Sequence, residues 1–364
     1  MSSINIIIVG AGPVGLMSAL LTLQNRGVAE LVIFEERKRT DIFNLSYQVS
    51  FDAKSVQFLT ECTVDFDNIE GCWMDGTFTA KVGVFLEYVL DRIMTSSKAT
   101  VLFSNKFDRQ EFDNMATSEG RHLLIVCDGR NGQTFRGLGF HNFCKEYPCG
   151  AYGAIAAIKR PEQRDIPTPE KRVHNLTFDL SAYGYHLSET NGFPGFSLKI
   201  FGNSKHRFLS IAVTKSDSNV VKTLRSVLDR SMMRNVFLKC FNVFKAVTEQ
   251  SISDSYALHH MEFSPRLFEI KLSQRCETVA YFDDCDTFVL AEGEAALSFN
   301  FHTGLDINPH IRCLMSLGAF IDKLTAADSE NSILESMVFK IKDLEMVCKE
   351  LVKKGLKEAM FSTR

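Results

Sequence analysis

A stretch near the start of the sequence, Ile4 to Arg37, restricts the possible folds more than any other. It opens with an apolar run, Ile4 to Val9, which is too short to span a membrane and rich in β-branched residues. We therefore expect a buried parallel strand there. A glycine-rich turn follows, then a predicted helix from Pro13 to Gln24 and a second strand from Leu31 to Phe34. This order predicts the first unit of a nucleotide-binding α/β fold.

The glycines of that turn follow the G-x-G-x-x-G order, as Gly10, Gly12 and Gly15. In this motif the first glycine permits the tight turn, the second lets a diphosphate approach the backbone, and the third lets the helix pack on the strand. Glu35 closes the second strand at the distance expected of a carboxylate that binds ribose hydroxyls, which favours FAD or NAD over a 2′-phosphorylated nucleotide. The bare motif also occurs in ordinary turns before core helices, but with these flanking strands it predicts a dinucleotide site.

Composition limits the class of protein. With 364 residues, the chain is long enough for one large domain with an insertion or for two domains. A net charge of −3 argues against nucleic acid or an anionic membrane as a partner. The ten cysteines contain no C-x-x-C pair, and no segment has the roughly 20 apolar residues of a membrane span. We expect reduced thiols, no stable membrane insertion and a cytoplasmic location, and the oligomeric state stays open.

The pattern changes in the middle of the chain. Short alternating segments at Tyr152–Ile158, Phe196–Phe201 and Phe208–Val213 predict a largely antiparallel sheet. The charged, proline-containing stretch Lys159–Arg172 is expected to be an exposed loop. A buried parallel strand is expected again at Thr287–Ala291.

Helical periodicity completes the fold prediction. Predicted helices cover Phe78–Met94, Val220–Met233, Pro309–Ala326 and Ser332–Lys357. The last of these is expected to dock on the main body rather than on a partner or a membrane surface. The predicted class is α/β: a Rossmann-type dinucleotide-binding domain with a parallel sheet (residues 1–140 and 276–330), an inserted, mainly antiparallel β-sheet domain (141–275) and a C-terminal helix (331–364).

Two further motifs follow predicted strands. They are Cys127-Asp128-Gly129-Arg130-Asn131 and Leu290-Ala291-Glu292-Gly293-Glu294-Ala295-Ala296, the second running on to Gly304-Leu305-Asp306-Ile307-Asn308. Together with the first motif, they resemble the group A flavoprotein monooxygenases, whose fold is that of para-hydroxybenzoate hydroxylase. Within that family the sequence looks most like the monooxygenase domain of the MICAL actin oxidases. The resemblance covers residues 4–140 and 285–325.

The resemblance implies an enzyme that binds FAD, is reduced by NADPH or NADH, and uses O2 through a C4a-hydroperoxyflavin. The substrate would be a small molecule or a protein side chain. The implied cofactor-binding positions are Gly10, Gly12, Pro13, Val14, Gly15, Glu35, Glu36, Arg37, Lys81, Asp128, Gly293, Glu294, Gly304, Leu305 and Asn308. Lys81 is the basic residue nearest to the position that contacts the cofactor phosphates in this family. The alternative interpretation of Lys81 is an exposed lysine without a role in binding.

Two departures from the family pattern keep other functions open. Glu294 replaces an aspartate, and Asp306 replaces the second glycine of a turn whose backbone N–H groups face the flavin. A negative charge there would oppose an anionic reduced flavin. The alternatives are an FAD-dependent oxidoreductase that does not hydroxylate and a non-catalytic protein on the same scaffold, as the Rab GDP-dissociation inhibitors are.

The candidate residues on the substrate side are Tyr47 and His302, with Asn44 and Gln48 beside Tyr47. Tyr47 follows the second strand, and His302 adjoins the turn that would face the flavin. A structural, hydrogen-bonded histidine is the simpler interpretation of His302. Trp73, the one tryptophan, is expected in the core, although it could also stack on a ring.

Overall fold

The computed structural model describes residues 3–45, 47–141, 143–161, 170–176, 196–202, 205–213, 219–247 and 249–354. The strands are β1 (Ile4–Val9), β2 (Val28–Glu35), β3 (Gln48–Phe51), β4 (Gly71–Met74), β5 (Thr77–Lys81), β6 (Ala99–Phe103), β7 (Arg121–Val126), β8 (Cys144–Lys159), β9 (Glu170–Leu176), β10 (Phe196–Gly202), β11 (His206–Val213), β12 (Met261–Phe263), β13 (Phe268–Arg275), β14 (Val279–Phe282), β15 (Thr287–Ala291) and β16 (Leu297–Phe299). The helices are α1 (Pro13–Leu23), α2 (Arg39–Phe43), α3 (Ala53–Glu61), α4 (Val82–Ile93), α5 (Arg109–Ala116), α6 (Thr134–Gly137), α7 (Asn219–Val227), α8 (Arg230–Val243), α9 (Asp254–His260), α10 (Ile307–Leu314), α11 (Leu317–Ala326) and α12 (Glu330–Lys354).

A six-stranded sheet forms the nucleotide-binding half, in the order β14-β15-β7-β1-β2-β6. Five of its strands are parallel, and β14 is antiparallel to β15 at the edge. Every residue of β15 is buried, and β1 is buried or half-buried throughout, as expected of parallel strands that carry helices on both faces. The predicted β1-α1-β2 unit and the return to a parallel strand at Thr287–Ala291 are confirmed.

A seven-stranded antiparallel sheet forms the second layer, in the order β16-β13-β8-β11-β10-β9, with β12 also paired to β8. The three strands predicted from alternation lie within β8, β10 and β11. The predicted loop after Lys159 falls mostly on residues 162–169, which are outside the described residues, and β9 begins at Glu170.

A three-stranded sheet, β3-β5-β4, corrects one predicted helix. Phe78 to Lys81 belong to β5, and the helix begins only at Val82. The side chains of Phe78 and Ala80 are buried, while the Thr79 hydroxyl bonds to the hydroxyl of Ser50 across the strands. Four residues of alternating character are compatible with the period of a helix and with that of a strand. Here they form a strand because they pair with β3 and β4.

Two more predicted helices are each divided in two. The predicted helix from Val220 is α7 followed by α8, because the Asp229 side chain accepts a hydrogen bond from the Met232 N–H and starts a new helix. The helix predicted from Pro309 is α10 followed by α11.

The C-terminal helix docks on the body, as predicted, through buried residues that include Leu344, Cys348 and Leu351. No helix within the described ranges is long and apolar enough to cross a membrane. The assignment of sequence ranges to separate domains stays a prediction.

Candidate functional site

A cavity of about 1170 Å³ lies between the carboxyl edge of the parallel sheet and the antiparallel sheet. This volume is at or above the upper end of what small-molecule and cofactor sites usually enclose, roughly 300 to 1,000 Å³. Ligands of open α/β sheets bind in the crevice outside the carboxyl ends of the strands, and this cavity occupies that position.

The glycine-rich turn borders one end of the cavity, and its glycines have different physical roles. Gly10 has a φ of +102°, and a Cβ there would lie 2.6 Å from the Cys127 carbonyl oxygen. A Cβ on Gly15 would lie 1.9 Å from the Gly10 oxygen, so α1 could not pack on the turn. A Cβ on Gly12 would meet nothing within 4 Å. The fold therefore requires Gly10 and Gly15, whereas Gly12 leaves open space in the cavity wall.

The N-terminus of α1 is directed at this open space. Its N-cap residue, Gly12, has no side chain, Pro13 occupies the first turn, and no side chain caps the helix. Uncapped backbone N–H groups and the positive end of the helix dipole favour an anion, such as a phosphate. Pro13 and Val14 line the cavity, while Gly15 lies behind its wall.

Glu35 is buried at the end of β2 and is already heavily hydrogen-bonded. Its carboxylate accepts from the Ala11 N–H at 2.8 Å, from the Arg37 N–H at 3.0 Å and from Arg37 Nε at 2.9 Å. These bonds tie the end of β2 to the glycine turn, and little acceptor capacity is left for ribose hydroxyls. Glu35, Glu36 and Arg37 all line the cavity, and their roles in binding stay predictions.

The second motif forms a tight turn after β7. The Asp128 carboxylate accepts a hydrogen bond from the Thr134 N–H at 3.0 Å, and it fills the space that a Cβ on Gly132 would need. Asp128 also lines the cavity beside Gly129. A Cβ on Gly129 would lie 3.9 Å from Glu294 Oε2, so the second and third motifs meet here.

The third motif places Gly293 and Glu294 on the cavity wall. Gly293 packs against Val14, because a Cβ at this position would lie 3.0 Å from the valine side chain. Burial raises the pKa of Glu294, and the nearby Asp306 raises it further.

The Asp306 carboxylate accepts hydrogen bonds from backbone N–H groups of its own turn. One carboxylate oxygen accepts from the backbone N–H groups of Thr303 and Gly304, at 3.2 and 2.9 Å, and the other lies 3.0 Å from His302 Nδ1. Burial alone would raise the pKa of Asp306, but the hydrogen bond and charge of His302 lower it. The same hydrogen bond raises the pKa of His302. Of the turn that the resemblance assigns to the flavin, the Gly304 N–H therefore points to Asp306, as does the N–H of the preceding Thr303.

Of the other residues of that turn, some line the cavity and some support the turn from behind. Gly304 lines the cavity, but Leu305 and Asn308 do not. The Asn308 side chain accepts from the Asp52 N–H at 2.9 Å and donates to the carbonyls of Ser50 and Leu305. Asn308 therefore holds the turn against β3, and a direct contact with a cofactor stays a prediction.

The two substrate-side candidates share one cavity. Both Tyr47 and His302 line it, each with about half of its side chain exposed. Burial of the phenol, followed by the charge of Glu294, raises the pKa of Tyr47 to about 12, so Tyr47 stays protonated at neutral pH. The neighbouring Gln48 lines the cavity too and donates to the Gly202 carbonyl, which joins β3 to the antiparallel sheet.

Three other candidates lie away from this wall. Lys81 precedes α4 and does not line the cavity; burial and the charge of Lys205 lower its pKa. Asn44 follows α2 outside the wall. Trp73, with 51% of its surface exposed, packs on Phe66 and Phe78, so the expectation of a core tryptophan is wrong.

Sequence reasoning missed several residues of the wall. Lys106 and Arg109 follow β6 and line the end of the cavity near Arg37. The signal was available, because a loop at the carboxyl end of a parallel strand borders the ligand crevice of such a sheet. His310 also lines the cavity; it is buried, and within the described structure its Nδ1 has no hydrogen-bond partner. No sequence pattern indicated this residue.

The arrangement of the two sheets defines the class of this protein by fold: it has the fold of the FAD-binding group A monooxygenases. The sequence itself matches no protein-family model and no curated protein.

Particular solved structures show the likeness. PqsL from P. aeruginosa, in complex with 2-aminobenzoylacetate, aligns with a TM-score of 0.56 and 14% identity over 98% of this chain and 96% of its own. The p-nitrophenol 4-monooxygenase PnpA from Pseudomonas putida DLL-E4 aligns with a TM-score of 0.54 and 12% identity, over 100% of this chain and 91% of its own. PyrE3, a Diels-Alderase of pyrroindomycin biosynthesis, aligns with a TM-score of 0.53 and 14% identity, over 97% of this chain and 74% of its own. At these identities the likeness defines the fold and leaves the activity to the residues of the site.

Proposed function

We propose that the protein is an FAD-dependent monooxygenase that takes electrons from NADPH or NADH and transfers one oxygen atom of O2 to a substrate in the cavity. One observation carries this proposal. The three motifs, far apart in the sequence, border a single cavity that continues onto the apolar face of the antiparallel sheet. A dinucleotide site alone would not need the second sheet.

The residues present fit an FAD molecule. The open space at Gly12 and the uncapped start of α1 would hold the diphosphate. Glu35 would lie beside the adenosine ribose, with the little acceptor capacity that its bonds to Ala11 and Arg37 leave free. Gly293 and Glu294 would lie along the ribityl chain. When bound, FAD supplies the electron transfer and the oxygen chemistry, while the protein supplies binding, orientation and exclusion of water.

On the substrate side, the protein's own groups can orient a substrate and hold a proton. Tyr47, protonated at neutral pH, can donate a hydrogen bond to a polar group of the substrate. His302 can hold or release a proton at its other ring nitrogen while Nδ1 faces Asp306. The position of the cavity, between two sheets, favours a small molecule over a protein side chain as the oxygen acceptor.

The test is an anaerobic reduction of the FAD-loaded protein with NADPH and, separately, with NADH, followed by admission of O2. We expect bleaching of the flavin absorbance by at least one nicotinamide. With a substrate present, we expect O2 uptake without an equal release of hydrogen peroxide. Full release of peroxide under all conditions would indicate an oxidase instead.

A second candidate is a flavin-binding or scaffold protein without oxygenase activity, and Asp306 favours it. This carboxylate takes the Thr303 and Gly304 N–H groups, and its negative charge borders the cavity. A charge there opposes the build-up of negative charge on a reduced ring. FAD that binds but is not reduced by either nicotinamide would support this candidate.

A further inference from the structure

One part of the cavity wall brings together three side chains of the types that bind metal ions. Glu294, His302 and Asp306 each offer one ligand atom, and the three atoms lie within 4.8 Å of one another. His302 Nδ1 is 3.0 Å from Asp306 Oδ2 and 3.8 Å from Glu294 Oε1. In a tetrahedral zinc site, metal–ligand distances of about 2.0–2.2 Å place the ligand atoms roughly 3.4 Å apart. The two separations lie on either side of that value, so small side-chain movements would let one ion contact all three atoms.

The backbone already orients the Asp306 carboxylate for this role. Its Oδ1 accepts from the N–H groups of Thr303 and Gly304, at 3.2 and 2.9 Å. The other oxygen, Oδ2, faces His302. Hydrogen bonds to a ligating carboxylate fix its direction and are a regular part of metal sites. Asp306 can therefore bind an ion through Oδ2 without giving up its contacts to the turn.

Negative charge exceeds fixed positive charge at this cluster. Glu294 and Asp306 contribute two carboxylates, and His302 contributes a positive charge only when it is protonated. The fixed charge that acts on both Glu294 and His302 is that of Arg130. Arg130 is exposed, and within the described ranges it forms no ion pair with Glu294. A cation that replaces the proton of His302 would offset both carboxylates.

A buried histidine beside the cluster has no partner of its own. His310 lies one turn along α10 from Asp306, lines the same cavity and is only 3% exposed. Among the described residues its ring has no hydrogen-bond partner, and its Nδ1 is fully enclosed. Burial lowers the pKa of His310 to about 4, against the charge of Asp306, so the imidazole is neutral. Buried polar groups are normally hydrogen-bonded, and a water on a neighbouring ion would supply a partner for this ring.

We propose that Glu294, His302 and Asp306 bind one divalent transition-metal ion, for which Zn²⁺ is the best fit, with water in the fourth position. One imidazole and two carboxylates suit zinc, and three protein ligands leave a position open. Both departures from the family pattern, Glu294 and Asp306, are ligands of this site. The inference goes beyond the proposed function and does not depend on bound FAD.

The experiment is a calorimetric titration of the 364-residue chain with Zn²⁺, without added FAD. The protein carries Cys144→Ser and Cys276→Ser, because these are its two exposed cysteines and thiolates also bind zinc. We expect one ion per chain, and weaker binding of Mn²⁺ than of Zn²⁺. His302→Gln and Asp306→Asn should each weaken the binding of Zn²⁺ by about 100-fold, at the upper end of what the loss of an outer partner causes.

His259→Gln is the matched control, because His259 is an exposed histidine on α9 and belongs to no such cluster among the described residues. It should bind Zn²⁺ as the parent protein does. No binding of Zn²⁺ at millimolar concentration, or an unchanged affinity in His302→Gln, would overturn the proposal. If Asp306→Asn does not fold, His302→Gln still decides, since about half of the His302 side chain is exposed. Failure of FAD to bind would end the monooxygenase proposal alone, and failure of Zn²⁺ to bind would end this one alone.

Discussion

Lys340 Nζ lies 2.6 Å from Glu292 Oε1, and both side chains are completely buried. Lys340 belongs to the C-terminal helix α12, and Glu292 directly precedes Gly293 on the cavity wall. The ammonium group also donates to the Cys313 carbonyl at 2.8 Å and to Ser316 Oγ at 3.0 Å. Burial raises the pKa of Glu292, and Lys340 opposes that shift. The pair joins the far end of the chain to the third motif.

Removing one partner of this pair should destabilise the protein strongly. Lys340→Met leaves a buried carboxylate without its cation, a change that typically costs about 3–5 kcal/mol. Urea unfolding at pH 7, followed by circular dichroism, measures the loss. The double variant Glu292→Gln, Lys340→Met should recover a large part of it, because neither charge then remains buried.

Lys349→Met is the control for that experiment. Lys349 is on the same helix, and its ion pair with Glu345 is exposed, so its removal should leave the unfolding midpoint nearly unchanged. Equal destabilisation by both variants would mean that the buried pair contributes no more to the free energy of unfolding than the exposed pair does.

Gly15→Ala should damage the fold itself. The new Cβ would lie 1.9 Å from the Gly10 carbonyl oxygen, a backbone atom that cannot move away without shifting α1 from β1. We expect a loss of at least about 2 kcal/mol of unfolding free energy, in the range of an overpacked core. Thermal unfolding measures it. A melting temperature equal to the wild type would contradict the close packing of helix and turn.

The His302–Asp306 contact should appear in the titration of the imidazole. The hydrogen bond to Asp306 raises the pKa of His302, so Asp306→Asn should move that pKa down toward the usual value of about 6.5. NMR observation of the His302 ring protons gives the titration directly. A pKa that is identical in both proteins would exclude the contact.

The same contact has a stability consequence with a definite sign. A histidine whose pKa is higher in the folded state stabilises the fold below its unfolded value of about 6.5 and loses that contribution as the pH rises through the folded value. His302→Gln should therefore lower the stability relative to wild type at pH 5.5 and have a smaller effect at pH 8.5. Because half of the His302 side chain is exposed, the difference should be small.

The sequence predicted the parts of the fold that depend on local patterns. The β1-α1-β2 unit and its glycines could be derived because each residue type has one steric role at its position. The prediction of a helix at Phe78–Lys81 is wrong. Its short alternation is compatible with a helix, and the strand forms because the segment pairs with β3 and β4, which are distant in the sequence or not evident from it. The division of one predicted helix at Asp229 was also missed, although its capping side chain gave a local signal.

The candidate site was predicted in outline, and its detailed chemistry was not. The motifs around Gly12, Asp128 and Glu294 do share one cavity wall. Whether a side chain lines that wall or supports it, as Asn308 does, depends on packing between distant segments. The position of Glu262 on the cavity wall could not be read from the sequence either, because it results from the placement of β12 beside β8.

The most direct test of the central claim is an equilibrium titration of the cofactor-free protein with FAD, followed by flavin absorbance and fluorescence. We expect the wild type to bind FAD with a 1:1 end point. Gly12→Ala, whose methyl group enters only the cavity, should keep the wild-type melting temperature and lose at least tenfold in affinity, about 1.4 kcal/mol. Gly318→Ala in α11, also free of contacts within 4 Å, should bind as the wild type does. A wild-type protein that shows no flavin signal at saturating FAD, or a Gly12→Ala variant that binds FAD unchanged, would contradict the assignment of this cavity.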